Sequence, residues 1–288
     1  MRNVARKCYR QADLATATPW PGRLAHGPGL TLINMPSRCA RRIAGCEASA
    51  TTHSATSPGP TAWRATSWSE AEAVDVSIPV GAVRLEGMLE LGAKPRGVVA
   101  FSHGSGSGRH SPRNQFVAAE LRKAGLGTLL LDLLTVDEDR DYEMRFDIDL
   151  LTERLAGAVR FLGSEKSTRN LPVGLFGAST GAASALRVAA TMPDAVGAVV
   201  SRGGRPDLTG AAALARVKAP TMLIVGGEDF GVIELNEQAR DALEHCACEL
   251  VIVPGATHLF EEPGTLEAVA RHAARWFTRH LSRPAGSA

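Results

Sequence analysis

Residues 171–190 read LPVGLFGASTGAASALRVAA. A short apolar run meets a Gly-x-Ser-x-Gly motif at 177–181, and an alanine-rich stretch with helical composition follows directly. In this motif a strand turns sharply into a helix and exposes the serine hydroxyl at the turn. Glycine is needed on both sides of the serine, because side chains there would collide where strand and helix approach. The motif often arises by chance, so its placement between strand and helix is what makes Ser179 a candidate nucleophile.

Short apolar runs alternate with amphipathic stretches on both sides of this segment. The runs at 73–79 and 83–91 alternate apolar with polar residues, which predicts an antiparallel pair at a sheet edge. The later runs are continuously apolar, as in strands buried on both faces of a parallel sheet. They lie at 97–102, 128–134, 172–177, 196–201, 220–226 and 249–254. Helices are predicted near 113–124, 146–162, 180–191, 207–217, 232–245 and 264–281.

This alternation predicts an α/β fold with a mostly parallel central sheet of about eight strands, flanked by helices. The residues between 200 and 221 have room for one helix but for no lid domain. We therefore expect a shallow pocket that suits small soluble substrates. In such sheets, ligands bind beyond the carboxyl ends of the strands.

A base and an acid for the serine follow two later strands. Asp229 follows the strand at 220–226, and His258 follows the strand at 249–254. A serine needs a general base and an orienting acid to act as a nucleophile at neutral pH. Glu228 is a rival acid, although a side chain one residue earlier on an extended strand end points to the other side. We therefore predict a catalytic triad of Ser179, Asp229 and His258.

Backbone N–H groups that can stabilise an oxyanion are predicted at two positions. One is Thr180, directly after the nucleophile. The other lies in the loop after the strand at 97–102, which reads SHGSGSG at 102–108. Ser105 follows His103 and Gly104 in this loop, and its N–H is the second predicted donor. We expect His103 to hold the turn by hydrogen bonds rather than to titrate in the reaction.

Arg202 follows the strand at 196–201 and therefore stands at the ligand-binding edge. One interpretation makes it an anchor for a substrate carboxylate, which a guanidinium binds through two parallel hydrogen bonds. The other makes it a loop arginine paired with Asp207 or Asp229. Both interpretations stay open at this point. Asp132 ends another strand, where we expect a structural hydrogen bond rather than chemistry.

The composition of the chain changes near residue 70. The 288 residues carry a net charge of +2, with 44% hydrophobic residues, which is enough for a globular core. Residues 1–69 hold nine Lys or Arg but only Asp13 and Glu47 as acids, whereas the remainder is moderately acidic. We predict a basic, disordered extension at 1–69 and a catalytic domain at 70–288. An organelle transit peptide and a basic arm that touches nucleic acid are the alternatives for the extension.

The sequence indicates neither membrane attachment nor a bound cofactor. No stretch approaches the roughly eighteen consecutive apolar residues that a membrane span requires. The five cysteines form no C-x-x-C pair and no zinc-type spacing with histidine. We therefore expect a reduced, cytoplasmic protein that acts on a small molecule without metal or organic cofactor and without nucleic acid as a partner.

Residues 70–288 resemble the dienelactone hydrolase-like branch of the α/β-hydrolase fold. The matching stretches span nearly all of the core and read FSHGSGSGRHSPRN, LLLDLLT, VGLFGASTGAA, VVSRGGRPDL, LIVGGEDFGVIELN and VPGATHLFEEPGTLE. Enzymes that open dienelactone carry cysteine at the elbow, whereas this chain has Ser179. The resemblance therefore implies a more general serine hydrolase that cleaves small soluble esters or lactones. Similar domains occur fused to a phosphoribosyltransferase domain, but no phosphoribosyl-binding stretch is evident in this sequence.

Other functions remain open at this point. A peptidase or an acyltransferase uses the same triad, and a non-catalytic binding module can keep the fold. A nucleotide-binding oxidoreductase is suggested by GSGSG after one strand and by Asp132 after the next. Against it, the third glycine of that fingerprint is absent, and the following helix begins only after Ser111 and Pro112.

Overall fold

The computed structural model describes residues 73–281, and the predicted extension at 1–69 lies outside these residues. The strands are β1 (Ala73–Val80), β2 (Val83–Glu90), β3 (Val98–Ser102), β4 (Gly127–Leu131), β5 (Val173–Ala178), β6 (Val196–Arg202), β7 (Thr221–Gly226) and β8 (Cys248–Val253). The α-helices are α1 (Pro112–Lys123), α2 (Ile148–Ser164), α3 (Thr180–Thr191), α4 (Ala211–Leu214), α5 (Phe230–Ala242) and α6 (Thr265–His280). Among residues 73–281, no helix combines the length and the apolar character that a membrane span needs.

The eight strands form one sheet in the order β1-β2-β4-β3-β5-β6-β7-β8. Strand β2 is antiparallel to both of its neighbours, and the strands from β4 to β8 are parallel. The predicted mostly parallel sheet with an antiparallel pair at its edge is confirmed. Counted from β3, the parallel strands run 2-1-3-4-5-6. This order differs from the 3-2-1-4-5-6 order of the dinucleotide-binding fold.

Helices cover both faces of the parallel strands. In β3, Val98 and Ala100 belong to the core cluster that includes α2 and α3, whereas Val99 and Phe101 belong to the cluster that includes α1 and α6. Every residue of β3 is buried, which explains why its sequence is continuously apolar. Because both faces are packed, the carboxyl ends of the central strands present their loops from a rigid base.

The helix predicted at 207–217 is wrong as a single element. The structure has a 3₁₀ turn at Pro206–Thr209 and only one helical turn, α4, after it. Gly210 separates the two with a φ of 86°, which lies outside the helical region and suits glycine. The alanine-rich composition favoured a longer helix but did not reveal this break. Since only this short segment joins β6 to β7, the described chain has no inserted lid domain here, as predicted.

Candidate active site

Ser179 stands at the sharp turn between β5 and α3. Its backbone has a φ of 51° and a ψ of −120°, and residues other than glycine rarely adopt a positive φ. A Cβ on Gly177 would lie 2.5 Å from the Ala182 Cα, and one on Gly181 would lie 2.2 Å from the Ser102 carbonyl oxygen. These glycines therefore let strand and helix approach closely, and the turn between them carries the serine at the sheet edge.

The structure brings the three predicted triad residues together. The His258 Nδ1 lies 2.6 Å from the Asp229 Oδ2, and the His258 Nε2 lies 3.3 Å from the Ser179 Oγ. Because the carboxylate accepts the Nδ1–H, Nε2 is left to accept the serine proton. Asp229 is the carboxylate that bonds the histidine, whereas the neighbouring Glu228 is exposed. The arrangement can deprotonate a serine hydroxyl and stabilise the imidazolium that results.

Two contacts that the sequence analysis missed hold the His258 loop. Glu262 accepts hydrogen bonds from the Thr257 backbone N–H at 3.1 Å and from the Thr257 hydroxyl at 2.6 Å. The bonds from Thr257 lower the pKa of the Glu262 carboxyl. On the other side, a Cβ on Gly203 would lie 3.2 Å from the His258 carbonyl oxygen. Two sequence signals could have indicated these contacts. One is the Thr-x-x-x-x-Glu spacing after the last strand, and the other is the pair of glycines after β6.

The two predicted oxyanion donors, Thr180 and Ser105, are neighbours in space. The Ser105 backbone N–H donates a hydrogen bond to the Thr180 hydroxyl oxygen at 3.1 Å. Gly104 brings this loop against the nucleophile, since a Cβ there would lie 3.1 Å from the Ser179 Cβ. Thr180 is also the first residue of α3, where backbone N–H groups lack intrahelical partners and the helix dipole is positive. The bond between Ser105 and the Thr180 side chain was not anticipated.

His103 and Asp132 have structural roles, as predicted. The Leu133 N–H donates to the His103 Nε2 at 3.0 Å, so Nδ1 carries the proton and donates to the Gly104 carbonyl oxygen, also at 3.0 Å. Burial lowers the pKa of the His103 ring, which favours its neutral form. Asp132 accepts a hydrogen bond from the Arg109 backbone N–H at 2.7 Å and pairs with the Arg109 guanidinium. Both side chains stabilise the glycine-rich loop.

Arg202 is buried, and no acid of residues 73–281 forms an ion pair with it. Only 8% of the residue is exposed, and its Nε and Nη1 have no hydrogen-bond partner among the described residues. The guanidinium carbon lies 5.8 Å from the centre of the Phe260 ring. Burial and the positive charge of Arg113 lower the pKa of Arg202 to about 10. Buried N–H groups without partners are costly, so this position favours an anion.

The ion pair that served as the alternative interpretation of Arg202 is not formed. Asp207 pairs instead with Arg205, whose Nε and Nη2 lie 2.8 and 2.7 Å from its carboxylate oxygens. Asp229 accepts a hydrogen bond from His258. The interpretation of Arg202 as a loop arginine paired with one of these acids is therefore wrong, and its role as an anchor stays a prediction.

The sheet order and the serine elbow define this protein as an α/β-hydrolase. The chain belongs to the dienelactone hydrolase family, whose model matches residues 139–282. It is similar to a dienelactone hydrolase from Anabaena variabilis ATCC 29413, with 52% identity and a TM-score of 0.72. That match covers 74% of this chain and 99% of the Anabaena chain.

More distant structures share the fold. Est1E from Butyrivibrio proteoclasticus is 14% identical with a TM-score of 0.62, and the match covers 72% of this chain and 98% of Est1E. The dienelactone hydrolase-like promiscuous phosphotriesterase P91 from metagenomic libraries is 18% identical, also with a TM-score of 0.62. That match covers 74% of this chain and 100% of P91. At these identities the similarity shows the fold alone.

Curated relatives from Mycobacterium tuberculosis carry a different name. In two strains, a protein named as a candidate phosphoribosyl transferase is 54% identical to this chain over 213 residues. The match covers 74% of this chain but 48% of the relative, so the chain spans about half the length of the curated relatives it matches. The family and the solved structures support a hydrolase.

Proposed function

We propose that this chain is a serine hydrolase that cleaves small esters or lactones through an acyl-enzyme intermediate. The observation that carries the proposal is the hydrogen-bonded line from Ser179 through His258 to Asp229, with the serine on a positive-φ elbow. A conformation of this kind costs of order 1–3 kcal/mol and is kept where function needs it. This cost favours an enzyme over a non-catalytic module that has kept the fold.

In the proposed reaction the Ser179 Oγ forms a bond to the ester carbonyl carbon, and its proton passes to the His258 Nε2. The carbonyl π pair moves to oxygen and gives a tetrahedral oxyanion. As the pair returns, the bond from carbon to the leaving oxygen breaks, and His258 gives its proton to that oxygen, so that it leaves as an alcohol. Water then attacks the acyl-enzyme by the same route and releases the acid. Asp229 stabilises the His258 imidazolium during both acylation and deacylation, without taking its proton.

The Thr180 and Ser105 backbone N–H groups are the proposed oxyanion donors. Each such donor contributes about 3–4 kcal/mol to transition-state stabilisation in comparable hydrolases. The Thr180 hydroxyl already accepts the Ser105 N–H, so the oxyanion shares or replaces that bond. The positive end of α3 adds to the stabilisation.

Peptide hydrolysis and acyl transfer use the same machinery and differ in the substrate or the acceptor. The similarity to the Anabaena dienelactone hydrolase favours esters or lactones as the acyl donor. The name of the Mycobacterium tuberculosis relatives belongs to proteins of about twice this chain's matched length. No contact of Ser179, His258 or Asp229 favours phosphoribosyl transfer.

A fluorophosphonate probe tests the proposal, because it phosphonylates only serines that are activated as nucleophiles. We expect one adduct on the full chain, located by mass spectrometry on the peptide that contains Ser179. The Ser179→Ala variant should take no label, whereas Ser107→Ala, which alters a serine of the glycine-rich loop, should be labelled like the wild type. Folded wild-type protein without label, or Ser179→Ala with label, would contradict the proposal.

We further propose that Arg202 binds a carboxylate of the substrate, because its buried Nε and Nη1 have no hydrogen-bond acceptor within the described part of the chain. The Arg202→Met variant keeps much of the apolar volume but removes the charge. We expect kcat/KM to fall at least about 10-fold more for mono-p-nitrophenyl succinate than for neutral p-nitrophenyl acetate, since a charge-assisted hydrogen bond is lost only with the anion. Equal losses with both esters would contradict the anchor.

A further inference from the structure

Most of the exposed large apolar side chains lie in segments that follow strands. Eight such side chains are exposed in the described part of the chain, and two of them, Val74 and Ile252, lie on strands β1 and β8. The other six all lie in segments that follow the carboxyl ends of strands. We call them the apolar rim; they are Val136, Tyr142, Met144, Phe146, Phe230 and Leu259.

Two rim residues are chain neighbours of the candidate triad. Phe230 directly follows Asp229 and is 68% exposed, and Leu259 directly follows His258 and is 41% exposed. The acid and the base are fixed by their mutual hydrogen bond. Both rim residues therefore have backbone positions fixed next to a triad residue.

The remaining rim residues lie at 136–146, between β4 and α2, and this segment is anchored. Glu138 forms an ion pair of 2.8 Å with the buried Arg154 and accepts a hydrogen bond from the Thr135 N–H, also at 2.8 Å. The Arg145 Nε donates to the Asp139 carbonyl oxygen at 2.9 Å. These bonds tie the segment to α2 and to itself.

The anchored segment adjoins the proposed oxyanion loop. A Cβ on Gly106 would lie 3.7 Å from the Arg145 Nη1, and Ser105, Gly106 and Arg145 line one small cavity. Within the segment, the Tyr142 and Phe146 rings pack with their centres 5.1 Å apart. The rim residues therefore follow the carboxyl ends of three strands, β4, β7 and β8.

A single exposed apolar side chain is ordinary, but a group of them around one site indicates a binding surface. We propose that the apolar rim binds an apolar arm of the ester substrate, so that the preferred substrates are esters with a medium-length alkyl or an aryl group. This inference rests on the proposed function. The occupant follows from this placement, because an arm of a substrate bound at Ser179 leaves the site at the same end of the sheet, where the parallel strands have their carboxyl ends. A protein docked over the same edge would block the substrate.

The test compares substrates that differ only in the length of one arm. We expect the double variant Tyr142→Ser with Phe146→Ser to lower the kcat/KM ratio of p-nitrophenyl octanoate to p-nitrophenyl acetate by about 10-fold, since lost apolar contacts act on the long arm only. The kcat/KM ratio of octyl acetate to ethyl acetate tests in the same way whether the rim binds the alcohol part of the ester instead of the acyl part. Both replaced side chains are exposed, so the thermal unfolding midpoint should stay unchanged.

Val74→Ser is the matched control, because Val74 is 55% exposed but lies on β1, at the far edge of the sheet. Its substrate ratios should equal those of the wild type. If neither ratio falls in the double variant while p-nitrophenyl acetate is still cleaved, the inference is overturned and the proposed function stands. If the folded wild type cleaves none of the four esters, the proposed function fails and the inference fails with it.

Discussion

The Ser179→Ala variant is expected to lose about 10⁶-fold in kcat for p-nitrophenyl acetate, as when the nucleophile is removed from a comparable serine hydrolase. Without the Oγ no acyl-enzyme forms, and His258 has no proton to accept. The remaining rate would come from substrate binding and from oxyanion stabilisation alone. Stopped-flow measurement of nitrophenolate release also separates the two half reactions, since the wild type should show a burst and the variant none.

The Ser179→Ala result is informative only if the variant is folded. Alanine fits the site sterically, because only the Oγ is removed and the Cβ that lies against Gly104 is kept. The thermal unfolding midpoint by circular dichroism should therefore match that of the wild type. If a folded variant retained more than about a tenth of the wild-type kcat, Ser179 would not be the nucleophile.

Replacing Asp229 with asparagine is expected to lower kcat by about 10⁴-fold. The asparagine amide can donate a hydrogen bond to the His258 Nδ1, which then carries no proton. The proton moves to Nε2, and a protonated Nε2 cannot accept the proton of Ser179. The loss should appear in kcat with little change in KM, because Asp229 bonds the histidine rather than the substrate.

Glu228→Gln is the control for Asp229→Asn, because both change a carboxylate to an amide at adjacent positions after β7. Glu228 is exposed, and we expect its variant to keep kcat within about threefold of the wild type, as a surface substitution should. A larger loss in Glu228→Gln than in Asp229→Asn would reverse the assignment of the acid.

Most of the fold could be predicted from the sequence. The continuously apolar runs marked the parallel strands, because a strand covered on both faces, such as β3, has no polar side to show. The alternating runs marked β1 and β2 at the edge. The helix at 207–217 was wrong, because alanine content reports helix propensity, whereas the positive φ of Gly210 is set by how the chain returns from β6 to β7.

The candidate site was predictable to a similar degree. Ser179, Asp229 and His258 each follow a strand, and the carboxyl ends of parallel strands meet at one edge, so the sequence could place them together. The sequence could not predict the contacts of Arg202. Its proposed partners Asp207 and Asp229 instead form hydrogen bonds with other residues. A choice among several nearby charges depends on side-chain direction, which strand order leaves open.

By itself the sequence determined the sheet, the elbow and the order of the candidate triad, because each depends on short local patterns: apolar periodicity, glycine where strand and helix approach, and polar residues after strand ends. Only the tertiary structure decided what those residues meet. The Ser105 N–H on the Thr180 hydroxyl and the Arg202 guanidinium over the Phe260 ring join segments distant in the chain. Such contacts are set by packing and side-chain direction, and no local pattern records them.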